Sequence, residues 1–226
     1  MKAYLVFLDE SGMLMAPNVR RSWAPRGQTP ILRQRTRSHK KVSVISVLCV
    51  NPERDEVRLF FRLHPDANIN TAMVIKFLRH LSRELKEPIV MIWDRLQTHR
   101  SKEMSLFLAE ATNFHTELLP PYAPELNPVE YVWGYLKNNP LANFAAYEVD
   151  ALADFTRHNG RSIQNRQSLL RSFIKHSPLF LRLNRTLLMQ GAIVQELPEN
   201  SYMQVWRSVK CAFRAAESVS VYGVAA

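Results

Sequence analysis

Cysteine is scarce in this chain: Cys49 and Cys211 are the two present, and neither is spaced for metal binding with the other or with the seven histidines. That argues against a thiolate metal centre and leaves both as plain buried thiols. Long apolar runs are also missing. None exceeds about six residues, well short of the roughly 20 that cross a bilayer, so no membrane segment and no membrane partner is expected. Met1-Lys2-Ala3 leads straight into an apolar stretch with no small-residue cleavage site behind it, which points to a cytoplasmic protein. Acidic residues are absent between Asn18 and Ser43, whereas Arg20, Arg21, Arg26, Arg33, Arg35, Arg37, Lys40 and Lys41 all fall there.

What is present narrows the field further. A chain of 226 residues, 46% hydrophobic, can bury one core, or one core and a small appendage. Its formal charge of +10 calls for a polyanionic partner. The basic segment accounts for most of that excess. It reads either as a solvated loop or as a phosphate-backbone contact, and its place between two predicted strands favours the second. Such a segment cannot specify a base sequence.

Periodicity orders the chain. Residues 3–9 read as a strand broken by Glu10-Ser11-Gly12, and residues 13–41 carry turn signals at Pro17, Pro25-Arg26-Gly27 and Pro30, with Ser22-Trp23-Ala24 as a short extended piece. Residues 42–50 and 56–63 form a hairpin about the turn 51–55. Asn70 opens a helix over 71–86, in which Met73, Phe77, Leu78, Leu81 and Leu85 recur at helical spacing; Pro88 starts the strand that leads to Asp94. A helix over 101–111, an extended piece at 116–119, a proline-rich loop and a helix after Asn127 follow. Leu152, Phe155, Leu169, Leu170 and Phe173 are available for helical closure. The order βββαβαβα implies an α/β fold, a mixed sheet flanked by helices.

Three acids stand out. Tyr4-Leu5-Val6-Phe7-Leu8-Asp9 and Ile89-Val90-Met91-Ile92-Trp93-Asp94 are apolar runs of one design, each delivering a carboxylate at its end. If the two strands lie parallel and adjacent, both carboxylates emerge at one edge of the sheet, where α/β folds place ligands. Glu130 follows in Asn127-Pro128-Val129-Glu130, with Trp133 and Lys137 along the same helical side. Each acid has a plainer role open to it. Asp9 or Asp94 taken singly could be a turn former. Asn127 as N-cap, Pro128 at the first helical position and Glu130 three residues after the cap would make a capping box.

Taken together, the three suit metal-dependent phosphoryl transfer. Breaking a phosphodiester requires an activated nucleophile and a neutralised leaving oxygen on opposite sides of one phosphorus, which two Mg²⁺ ions roughly 4 Å apart supply, Mn²⁺ substituting. Magnesium takes oxygen ligands and keeps several waters, so three carboxylates suffice. Asp9 would bridge both ions, with Asp94 and Glu130 each completing one site. An aspartate nucleophile of the haloacid dehalogenase type wants a second aspartate where Ser11 stands.

Four blocks in order carry a resemblance: Leu8-Asp9-Glu10-Ser11-Gly12; Trp23-Ala24-Pro25-Arg26-Gly27-Gln28-Thr29-Pro30; Trp93-Asp94-Arg95 with His99-Arg100-Ser101; and Pro121-Tyr122-Ala123-Pro124-Glu125-Leu126-Asn127-Pro128-Val129-Glu130 with Trp133 and Lys137. Over about residues 4–180 the chain resembles the catalytic domain of DDE transposases of the mariner superfamily, bacterial insertion-sequence 630 type. The resemblance implies a ribonuclease H-like fold and a DDE triad at Asp9, Asp94 and Glu130. It also implies a Mg²⁺-dependent endonuclease and polynucleotidyl transferase acting in DNA transposition. The DNA partners would be transposon ends and target DNA, in a bacterial nucleoid-associated setting, with a homodimer assembled on DNA. His99 and Arg100 follow Asp94 closely enough to touch a scissile phosphate, and Arg95 and Lys137 complete the expected DNA contacts; His99 is not expected to act as a general base. Trp23 and Trp133 read as packing residues, and Glu10 and Glu125 as neighbours that could be mistaken for the triad.

Two departures qualify this. The helix-turn-helix modules that usually precede such a domain are not in the sequence, so a separate helix-turn-helix polypeptide would supply end recognition, or the chain is a truncated copy. Residues 1–181 then form the catalytic domain, and 182–226 a tail of unrelated character whose removal from 185 onwards should leave folding intact. The rival reading is a catalytically incompetent or accessory DNA-binding remnant. A third is a ribonuclease H-like nuclease for RNA–DNA hybrids or branched DNA.

Overall fold

The computed structural model describes residues 2–16, 18–31, 40–179 and 181–184. Along the chain come β1 (Tyr4–Leu14), β2 (Lys41–Val50), β3 (Val57–Pro65), α1 (Thr71–Leu85), β4 (Ile89–Trp93), α2 (Lys102–Glu110), β5 (Phe114–Leu118), a short 3-10 helix (Pro124–Leu126), α3 (Val129–Asn138), α4 (Val149–Gln164) and α5 (Gln167–His176). The strands form one mixed sheet in the order β3-β2-β1-β4-β5, antiparallel through β1 and parallel from β1 to β5.

The helix boundaries follow from local chemistry. Asn70 caps α1 by accepting from the Met73 amide at 3.0 Å, and Ser101 caps α2 by accepting from Met104 at 3.2 Å. Lys86, at φ 58°, ends α1 in the left-handed conformation. β4 is buried at every position, as a parallel strand covered on both faces must be.

Strand alternation then divides the core. Phe7, Met13 and Ile92 face α3, α4 and α5, packing with Val132, Trp133, Leu152 and Phe173. Val6, Leu8, Met91 and Trp93 face α1 and α2, packing with Phe77, Leu78 and Met104. The edge strand β3 is closed by side chains: Gln167 both accepts from the Val57 amide and donates to its carbonyl, and Gln164 donates to Leu59. α4 crosses β3 so closely that a Cβ at Gly160 would lie 2.5 Å from the Phe61 ring.

Two boundaries differ from expectation. β1 does not break at Glu10-Ser11-Gly12, because β2 pairs with it antiparallel through Leu14, so Asp9 sits inside the strand. β4 pairs only with Tyr4–Phe7, leaving the rest of β1 unpaired on that side. Residues 22–24 form no strand. At the far end, packing continues past 181: Leu183 lies against the core, and Asn184 bonds to the turn before β3 through Arg54 O at 2.7 Å and Glu53 O at 2.6 Å. Residues 185–226, including Cys211, lie outside the described residues, as do Arg33, Arg35 and Arg37.

Candidate active site

Parallel pairing of β1 with β4 runs from Tyr4↔Ile89 to Phe7↔Ile92. Two residues beyond the last rung come Asp9 on β1 and Asp94 after β4, at one edge of the sheet. Asp9 shares a face with Phe7, towards α3, and is buried. The loop before α3 is fastened to this point of β1: the Asn127 amide nitrogen donates to Leu8 O at 3.0 Å, while its oxygen accepts from the Val129 amide. Pro128, rather than Asn127, occupies the N-cap position of α3. The helix then runs in step with β1. Trp133 donates its indole N–H to Asp9 Oδ2 at 2.7 Å, and Lys137 donates to Ser11 Oγ at 2.8 Å. Glu130 is exposed in the first turn.

The acids act on one another electrostatically. Burial pushes the Asp9 carboxyl up to about 7; the charge of Glu130 adds to this, the Trp133 hydrogen bond opposes it, and Glu10 and Asp94 add further. Glu130, though largely open to solvent, is also raised, by partial desolvation of its carboxyl and by Asp94, against the pull of Lys137. Asp94 moves the other way. Burial opposes it, but hydrogen bonds from His99 and the Leu96 amide hold the carboxyl below its usual range.

Glu10 and His99 form the second layer of the site. Alternation along β1 sends Glu10 to the face opposite Asp9, where His99 Nε2 meets Glu10 Oε1 at 2.9 Å. His99 Nδ1 lies 2.9 Å from Asp94 Oδ1, and the ring stacks on Trp93 at 4.4 Å and 7°. Burial works against its charged form, but the bonds to Asp94 and Glu10 prevail and push it up to about 9.

The expected DNA contacts divide. Arg21, Arg26 and Arg100 are exposed, as is Arg95, whose Nε donates to Leu119 O. Arg20 is bound to Asn138 and Asn143, Lys40 pairs with Asp66 at 3.5 Å, and the Lys41 stem lies over Gly12. His99 is buried between two carboxylates and offers no surface to DNA. Trp23 is fully exposed instead of packed, whereas Trp133 is packed and also holds Asp9. Glu125 is exposed in the 3-10 helix.

The donor chemistry fits a hard divalent cation: Asp9 on β1, Asp94 after β4 and Glu130 on α3 all offer carboxylate oxygens, and, beyond burial, the charges of Glu130 and Asp94 raise the Asp9 carboxyl in a way a cation would relieve. Among the described residues, no group of three or more His, Cys, Asp or Glu side chains is set to hold a metal by itself. Magnesium needs only one or two carboxylates when water and phosphate oxygens supply the rest.

A family model described as DDE superfamily endonuclease matches residues 4–152, most of the chain and every element from β1 to the start of α4. The chain belongs to this family. Its fold is ribonuclease H-like. Among solved structures, the Mos1 mariner paired-end complex with Mn aligns at TM-score 0.57 and 18% identity, covering 76% of this chain and 52% of that one. A pre-cleavage Mos1 transpososome aligns at 0.57 and 15%, covering 92% and 56%, and the Mos1 strand transfer complex at 0.53 and 16%, covering 92% and 54%. At such identities the likeness is one of fold. The DDE chain described here spans about half the length of the Mos1 chains it matches. No curated protein sequence matches it significantly, and no helix among the described residues is long and apolar enough to cross a membrane.

Proposed function

We propose that this chain is the catalytic domain of a transposase of the mariner superfamily, insertion-sequence 630 type, carrying out metal-dependent DNA cleavage and strand transfer. The observation that carries the proposal is geometric: β1 and β4 run parallel and adjacent to within two residues of Asp9 and Asp94, and the Trp133–Asp9 bond holds α3, with Glu130 in its first turn, against the same strand. Asp94 also serves the turn after β4, accepting from the Leu96 amide, whereas Asp9 lies inside a strand and has no turn or cap to form.

Asp9, Asp94 and Glu130 would hold two Mg²⁺ or Mn²⁺ ions, which when bound would polarise the scissile phosphate and lower the pKa of the attacking oxygen. The chain's own residues do the rest. Trp133 keeps one Asp9 oxygen oriented, and Lys137 sets a positive charge beside Ser11 and Glu130. Arg21, Arg26, Arg95 and Arg100 present exposed charge to phosphates. The Mos1 structures include complexes with transposon ends, Mn and Mg. On that likeness the partners proposed here are element ends and target DNA, with a second copy of the chain assembled on DNA. Residues 1–181 would be the catalytic unit, with Leu183 and Asn184 fastened to it.

The test is incubation of the full chain with pre-nicked duplexes and Mg²⁺, with RNA–DNA hybrid as competitor. Cleavage or joining that Asp94→Asn abolishes supports the proposal. Salt-dependent DNA binding with no such activity would make the chain an accessory remnant, and preference for the hybrid would make it a different nuclease.

A further inference from the structure

β1 and β4 part company after Phe7↔Ile92, and the two candidate ligands, Asp9 and Asp94, ride on the ends that separate there. One buried side chain spans the gap. His99 reaches Glu10 of β1 through Nε2 and Asp94 beyond β4 through Nδ1, both at 2.9 Å. Its ring plane is set by stacking on Trp93, and its backbone is set by the turn in which the His99 amide donates to Leu96 O at 3.0 Å. Asp94 Oδ1 takes both the imidazole and the Leu96 amide, at 2.9 and 3.0 Å, so this carboxylate cannot rotate freely.

From this geometry we infer that Glu10 and His99 are positioning residues, which fix the orientation of Asp94 and its spacing from Asp9 so that the pair is ready for a divalent cation. The inference rests on the metal-dependent reading above and adds to it two residues that touch neither substrate nor cation. A carboxylate that orients the imidazole, which in turn orients a ligand, is a general way of tuning a metal site. Glu10 is not placed for stability alone: its Oε2 is sealed from solvent without a hydrogen-bond partner among the described residues. A residue chosen only to strap two strands would leave no such orphan.

The test is calorimetric titration of the full chain with Mn²⁺ alone, in wild type, His99→Phe, Glu10→Ala and Glu10→Gln, each checked for folding by thermal melting. His99→Phe keeps a ring on Trp93 and loses both bonds; its Mn²⁺ affinity should fall about 10- to 100-fold. Glu10→Ala should fall in the same direction, while Glu10→Gln, which still accepts from the imidazole, should stay close to wild type. In the cleavage assay the loss should appear in kcat at fixed Mn²⁺, with KM for DNA unchanged. If His99→Phe does not fold, the Ala–Gln pair at Glu10 carries the comparison. Native Mn²⁺ affinity in folded His99→Phe and Glu10→Ala, whatever their melting temperatures, overturns the inference while leaving the metal-dependent reading intact. A folded wild type that binds no Mn²⁺ overturns both.

Discussion

The indole N–H of Trp133 donates to Oδ2 of the buried Asp9 at 2.7 Å, so a core residue of α3 holds a carboxylate of β1. This bond favours the ionised carboxylate against burial and its acidic neighbours. Trp133→Phe should therefore raise the Asp9 pKa further and shift the pH midpoint of Mn²⁺ binding upwards. The lost hydrogen bond should also cost about 1 kcal/mol of stability. Mn²⁺ titrations across pH, paired with urea melts, check both effects.

Asp9 and His99 place the pH dependence of stability in different windows. The folded value for Asp9, about 7, lies above its ordinary 3.8. Its contribution is complete below the ordinary value and is lost as pH rises through about 7. The His99 value, about 9, lies above its ordinary 6.5, so its contribution is complete below that and is lost as pH rises through about 9. Asp94, lowered, reports the same bond from its other partner: stability present above its ordinary value and lost as pH falls. Urea melts of the metal-free chain should show a first decline removed by Asp9→Asn and a second removed by His99→Phe. Added Mg²⁺ should offset the first.

Asn127→Ala removes a buried amide that joins Leu8 O to the start of α3. The orphaned groups should cost about 1–3 kcal/mol. Glu130 rides on this junction, so cleavage should fall more than stability does. Comparing kcat with the urea midpoint separates the two.

Arg21→Ala and Arg26→Ala should leave the fold unchanged, both side chains being exposed. Each that contacts a phosphate should flatten the plot of log affinity for duplex DNA against log salt by about 0.9. Arg20→Ala should in addition remove the guanidinium bond to Asn138, while the backbone bonds to Asn143 remain.

Gly160→Ala would press a methyl into the Phe61 ring and should destabilise by about 1–3 kcal/mol. Phe61→Leu in the same chain should recover part of that loss in a thermal melt.

Much of this architecture was legible in periodicity. The helix over 71–86, the hairpin about 51–55 and the buried run ending at Trp93 needed only local pattern, and the structure places them within a residue or two. Glu10-Ser11-Gly12 misled because a turn-forming triplet was held extended by a partner thirty-odd residues away, which local sequence does not encode. From sequence alone His99 belongs to a loop within reach of DNA. Its five-residue spacing from Asp94 and the preceding Trp93 were the available signal, but pairing with Glu10 depends on β1 and β4 being neighbours. Glu10 itself could have been placed opposite Asp9 by strand alternation alone. Trp23 was expected to pack because tryptophan usually does; on a segment with few apolar neighbours it had nothing to pack against.

Side chains on a strand change sides at each step, so the alignment of β1 with β4 tolerates no slip. Deleting one residue between Val90 and Asp94 would turn the last carboxylate away from its companion, and inserting one would do the same. Extra length inserted in the bends at 51–55 or 66–70 would disturb neither. Relatives of this chain can thus differ freely in how far apart the two aspartates stand in sequence, provided the short stretches leading into them keep their count.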